Sequence, residues 1–151
     1  MVYLKNYLVI LLLLMTLPLL ATARNDDWRL VWSDEFNTEG RLSPSVWNYE
    51  QGYVRNEEAQ WYQPDNAVCK GGFLVIEARK ERNRQNPLYI PGSNDWRKER
   101  EFIEYTSSSV TTAGKKEFLY GRFEVRARIP VAKGAWPAIW TLAVSYTHLT
   151  L

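Results

Sequence analysis

Near the C-terminal end, residues 120–129 read YGRFEVRARI and alternate with a period of two. A helix would scatter these side chains around its axis, whereas a strand sends successive residues to opposite faces. Phe123, Val125, Ala127 and Ile129 then share one face, and Tyr120, Arg122, Glu124, Arg126 and Arg128 the other. The apolar face belongs in a core. The polar face has two readings that the pattern leaves open: a solvated exterior with cross-strand ion pairs, or the wall of a polar cleft.

The rest of the chain agrees with a strand-built fold. Short β-forming runs at residues 28–32, 46–50, 73–79 and 138–142 are separated by turn residues such as Ser43-Pro44 and Gly71-Gly72. Residues 110–112 lead through Ala113-Gly114-Lys115-Lys116 into 118–129, which predicts a hairpin. No sustained helical period and no internal repeat occur after the first two dozen residues. An antiparallel sandwich is the expected architecture. Residues 83–105 break the strand pattern; so long a connection is expected to be either a functional surface loop, suited to the rim of a groove, or a disordered one.

The N-terminus has to be set aside first. Lys5 precedes an apolar run at 7–20, and Ala21-Thr22-Ala23 has the small-x-small form of a cleavage site. Fourteen positions are short for a membrane span, which needs about 20 residues. Residues 1–23 are therefore expected to be a signal peptide cut after Ala23, with a secreted or periplasmic product. Losing Lys5 moves the formal net charge only from +2 to +1. Neither nucleic acid nor, after cleavage, a membrane surface is an expected partner. With one His (His148) and one Cys (Cys69), a zinc site or a His-activated nucleophile has too few groups. Cys69 reads as a small buried hydrophobe at a strand.

Seven Trp, nine Tyr and five Phe are more aromatic residues than a core of this size needs. In an exported, nearly neutral chain they suit a flat neutral ligand such as a sugar, whose C–H faces stack on indole rings. The run GAWPAIW places Trp136 and Trp140 around Pro137, and the rings serve either as core or as such a platform.

Five blocks occur in order: LVWSDEF (30–36), NEEAQWYQPDNAV (56–68), EYTSSSVTT (104–112), YGRFEVRARIP (120–130) and GAWPAIW (134–140). Together they resemble glycoside hydrolase family 16, in particular its bacterial β-1,3-glucanases, the laminarinases. The resemblance implies an all-β jelly-roll of two curved antiparallel sheets with a glycan cleft along the concave side, incomplete over residues 24–142. It implies cleavage of internal β-1,3 or mixed β-1,3/1,4 glucan linkages with retention of configuration. It also assigns Asn56, Glu124 and Arg126 to the cleft and lets Trp136 and Trp140 stack on sugar. Glu35 and the carbonyl of Gly72 become a partial site for a structural calcium, with no cofactor needed for the chemistry; a plain turn carboxylate is the other reading of Glu35. A monomer acting on β-glucan is expected.

The family's catalytic strand, Glu-x-Asp-x-Glu or Glu-x-Asp-x-x-Glu, follows the tryptophan block. No Glu-x-Asp occurs anywhere here, so the resemblance supplies no catalytic residue. From Ala143 the match fails, and SYTHLTL resembles translated sequencing-adapter sequence, so residues 143–151 are expected to be an unrelated tail. The 151 residues together are not expected to fold alone into a stable jelly-roll. A non-catalytic glucan-binding relative and an enzyme acting on a galactan, such as agarose, are the competing readings.

Overall fold

A computed structural model describes residues 28–143. The expected signal peptide and all but Ala143 of the expected tail lie outside the described residues. Two compact units divide at Asp34. The described part of the first, residues 28–34, carries no strand, contrary to the expectation for 28–32, and exposes Trp28, Leu30 and Val31.

The described residues of the second unit form seven strands: β1 (Asn48–Tyr49), β2 (Gln60–Tyr62), β3 (Ala67–Lys70), β4 (Phe73–Ile76), β5 (Arg79–Gln85), β6 (Phe102–Ser107) and β7 (Val110–Thr111). They form three small sheets, ordered β1-β7, β2-β6-β5 and β3-β4. The only helical element among the described residues is a 3-10 turn, Pro64–Asn66.

β3 and β4 join through Gly71-Gly72, with φ of 59° and 75°. Both central positions of such a two-residue turn need positive φ, which glycine adopts without cost. Lys70 faces Phe73 directly across it. β3 alternates as the sequence suggests, Ala67 and Cys69 buried, Val68 and Lys70 exposed.

The β2-β6-β5 sheet departs from expectation in three ways. β2 runs parallel to β6, Gln60 opposite Tyr105, whereas the other strand pairs are antiparallel. A parallel pair needs a long crossover, and here β3, β4 and β5 make it. β5 occupies 79–85 and β6 starts at 102, so the connection expected at 83–105 shrinks to 86–101. β5 reads RKERNRQ and is exposed except at Glu81 and Arg84, so no apolar alternation betrays it. Its register slips between Lys80 and Arg84, where Asn83 takes φ 52°.

Leu42, Tyr53, Ala67, Cys69 and Ile103 form the buried apolar core, beside buried Asn66, Asn86, Thr106 and Ser108. Asn66, Asn86 and Thr106 are tied down, while Ser108 Oγ has no hydrogen-bond partner among the described residues. Asn66 Nδ2 donates to Glu77 O at 2.9 Å and to Thr106 Oγ1 at 3.1 Å, while Asn66 Oδ1 accepts from Gln63 at 2.6 Å. Thr106 in turn donates to Glu81 Oε1 at 2.6 Å.

The hairpin expected from 110 to 129 forms only its first strand. Residues 112–116 turn back, with the Lys115 and Lys116 amides donating to Thr112 O, but 118–143 contains no strand. Phe123, Val125 and Ile129, read as core, are exposed. Alternation fixes which side chains share a face; it does not supply a neighbouring strand, and among the described residues none pairs with this run. The strand expected at 138–142 is absent for the same reason.

Candidate functional site

β2 and the turn before it gather the densest polar group. Gln60 and Tyr62, two apart on one strand, point to one side. Gln60 Nε2 donates to Glu58 Oε2 at 2.8 Å and to Tyr62 Oη at 2.7 Å, and Tyr62 donates to Glu58 Oε2 at 2.9 Å. Burial pushes the Tyr62 phenol above its ordinary pKa; the Gln60 bond works against that shift, and nearby Glu58 reinforces it. Asn56 Nδ2 lies 3.5 Å from Glu58 Oε1, at the edge of the same group.

Arg55 links this group to an aromatic surface. Its guanidinium pairs with both carboxylate oxygens of Glu50, which also accepts from Ser109 Oγ. The same guanidinium lies 5.8 Å from the Tyr62 ring centroid and 5.5 Å from that of Trp140. Burial disfavours the Arg55 charge, but pairing with Glu50 outweighs it, and the pKa rises. Sequence reasoning passed over Arg55 and Glu50; nothing in local spacing links a residue of one strand end to a tryptophan 85 positions on (140 − 55).

Of the residues singled out from the sequence, Trp140 lies against the Arg55 guanidinium, whereas the Asn56 amide reaches only Glu58 at the edge of the polar group. Trp140 is 60% exposed, leaving ring surface for a ligand, and Trp136 is 92% exposed. Glu124 pairs with Arg122 at 2.6 Å on the exposed run that also carries Arg126.

At the expected cation site, a Cβ added to Gly72 would lie 3.5 Å from Asn37 Oδ1. Glu39 Oε1 accepts from the Gly71 amide at 2.7 Å, and Glu35 is exposed two residues before Asn37. Among the described residues no three His, Cys, Asp or Glu side chains gather around a metal position. A cation there would draw on the Glu35 carboxylate together with amide and carbonyl oxygens, donors that suit calcium in kind.

No sequence-family model matches the chain. Individual relatives do. The chain is 42% identical to a β-glucanase of Rhodothermus marinus over 126 residues, 80% of this chain and 38% of that protein. It is 30% identical to a keratan-sulfate endo-1,4-β-galactosidase of Sphingobacterium multivorum over 122 residues, 80% of this chain and 25% of that one. The X-ray structure of the laminarinase from Rhodothermus marinus matches with a TM-score of 0.51 and 41% identity, over 68% of this chain and 36% of that one. The chain thus spans less than two-fifths of the length of these relatives. Strand content and structural likeness define the class as an all-β jelly-roll, present here as incomplete sheets. Within that class the relatives are β-glucanases and laminarinases of the glycoside hydrolase family 16 type, similar over 68–80% of this chain.

Proposed function

We propose that the whole protein is an exported glycoside hydrolase that cuts internal β-1,3 or mixed β-1,3/1,4 linkages of glucan with retention of configuration. The likeness to the Rhodothermus β-glucanase across 80% of this chain carries the reading. The local geometry supports it: an exposed indole at Trp140 lies against a guanidinium that Glu50 buttresses, and the Asn56 amide stands at the edge of the Glu58-Gln60-Tyr62 group, which offers a stacking face and hydroxyl-bonding groups. In this reading Asn56, Glu124 and Arg126 bond sugar hydroxyls, and Trp136 and Trp140 provide stacking faces.

Retaining hydrolysis needs two carboxyl groups about 5–5.5 Å apart, one ionised to attack and one protonated to donate. A Glu-x-Asp-x-x-Glu strand would supply them, and this chain contains no Glu-x-Asp. The chain itself is proposed to bind glucan without cutting it. Glu35, Asn37 and the Gly72 carbonyl would hold a structural calcium, fastening the segment before β1 to the β3–β4 turn. Residues 1–23 would direct export, and the product would act as a monomer without nucleic acid or membrane.

A second reading, a galactan substrate, is favoured by the keratan-sulfate galactosidase relative. Affinity electrophoresis of the chain through gels containing laminarin, mixed-linkage β-glucan or agarose separates the two. Retardation by laminarin, reduced about tenfold in affinity by Trp140→Ala through lost stacking, is the expected result. Retardation by agarose alone would replace glucan with galactan, and migration unaffected by any of the three would refute both.

A further inference from the structure

The turn that carries Asn56 is held from outside its own strand. Asn56 and Glu57 have φ of 55° and 53°, a consecutive left-handed pair that asparagine tolerates and glutamate adopts at a cost, in a turn closed by the Glu58 amide donating to Arg55 O at 3.2 Å. Two arginines of the 86–101 loop brace that turn. Arg97 donates through Nε to Tyr53 O and through Nη2 to Val54 O, both at 3.1 Å. Arg100 donates through Nη1 to Glu58 O and through Nη2 to Glu57 O, both at 3.0 Å. The carbonyls on either side of Arg55 and Asn56 are thus each captured by a guanidinium fork.

The loop is built to present those forks. Asn86, 4% exposed, donates through Nδ2 to the carbonyls of Arg97 at 3.0 Å and Arg100 at 2.8 Å. Its Oδ1 accepts from the Leu88 amide at 2.9 Å, so the loop closes on one buried side chain. Arg100 also lies over the buried Tyr53 ring at 5.3 Å, and Arg97 over Trp96 at 4.5 Å. Both guanidinium groups are therefore oriented before they reach the turn.

We propose that Arg97 and Arg100 are positioning residues for glycan binding: they clamp the left-handed turn so that the Asn56 amide is presented to the sugar. The 86–101 loop then sets affinity at this position without touching the ligand. The proposal rests on the reading of Asn56 as a sugar contact. Lysine cannot replace either arginine, because a single ammonium lacks the planar fork that reaches two carbonyls together.

The test uses the 151-residue chain with Arg100→Ala, Arg100→Lys, Glu57→Gly, Asn56→Ala and the doubles R100A/E57G and N56A/R100A. Two quantities are read: hydrogen exchange in the peptide covering residues 53–58, and affinity for laminarin oligosaccharides. R100A and R100K are expected to speed exchange and weaken binding by about tenfold each, as loss of charge-assisted hydrogen bonds does. Glycine at 57 relieves the left-handed strain, so R100A/E57G should recover most of both. If Arg100 acts through Asn56, N56A/R100A binds no worse than N56A.

Unchanged exchange in R100A overturns the clamp. A binding loss that adds to that of N56A, or loosening that spreads across β2, β6 and β5 without rescue by E57G, reduces Arg100 to a general structural role and also overturns it. A wild-type chain whose β2 and β6 amides are protected from exchange yet binds no glucan refutes the β-glucan reading and the clamp's role in sugar binding, while exchange and rescue still judge the clamp itself.

Discussion

Tyr53 and Tyr62 stand on either side of the same turn and differ in one respect that mutation can read. Tyr53 is buried, and its hydroxyl has no hydrogen-bond partner among the described residues. Arg100 acts on that phenol as a nearby charge rather than as a donor of acceptable geometry, and burial pushes the phenol's pKa up. Tyr62 instead exchanges bonds with Gln60 and Glu58. Removing an unpartnered buried hydroxyl is nearly neutral, whereas removing a partnered one leaves its partners unsatisfied. Tyr53→Phe should leave amide exchange in β2 and β6 unchanged or slower. Tyr62→Phe should speed it about tenfold, equivalent to roughly 1.4 kcal/mol. At this scale the sequence was informative where chemistry is local: Cys69 as a small buried side chain. It was silent on Glu50, Asn66, Asn86 and Arg100, whose partners lie far along the chain.

At the scale of elements, turn chemistry was readable and pairing was not. Gly71-Gly72 announces the β3–β4 hairpin because its φ values demand glycine. β5 hides because a charged strand with both faces largely exposed has no apolar period. The 86–101 loop hides because its order comes from buried Asn86 and scattered backbone bonds, such as the Ile90 amide donating to Lys98 O at 2.9 Å, rather than from any periodic pattern. Within that loop the Arg97 amide, donating to Asp95 Oδ1 at 3.0 Å, holds the Asp95 carboxyl below its usual range despite opposing burial, with Lys98 adding to the effect. A carboxylate with a depressed pKa stabilises the folded loop above the ordinary Asp value of about 3.9, and that contribution fades as pH falls through the depressed value. Exchange in residues 90–98 should therefore accelerate below about pH 4, more steeply than in β3 and β4, and Asp95→Asn should abolish the acid dependence. Equal acid sensitivity in both regions would contradict the assignment to Asp95.

For the whole molecule, the balance of buried and exposed apolar surface decides behaviour. The buried apolar side chains of the described residues are few, while Phe123, Val125, Ile129, Trp136, Ile139, Trp140 and Leu142 are all more than half exposed. Exposed apolar area on this scale binds hydrophobic dyes and self-associates. The 151-residue chain should enhance anilinonaphthalene sulfonate fluorescence and melt over a broad range, with residues 118–143 exchanging fastest and β6 slowest. A sharp cooperative transition without dye binding would contradict this. The class of fold was legible from strand length, turn residues and the absence of helical period. What remained illegible was which strands become neighbours, because period-two alternation in 120–129 carries no address for a partner.

The parallel pairing of β2 with β6 also sets an order in time. A ribosome delivers β2 long before β6, so the Gln60–Tyr62 edge emerges with its backbone groups facing water. Meanwhile the β3–β4 hairpin, closed by two glycines, needs only a handful of residues and forms early. Ring closure over the long crossover costs chain entropy that only the late β2–β6 contacts return. The Asn56 turn, clamped by residues that follow β5, is then among the last features to acquire its shape during synthesis, and a nascent chain halted before Arg97 would carry β2 without it.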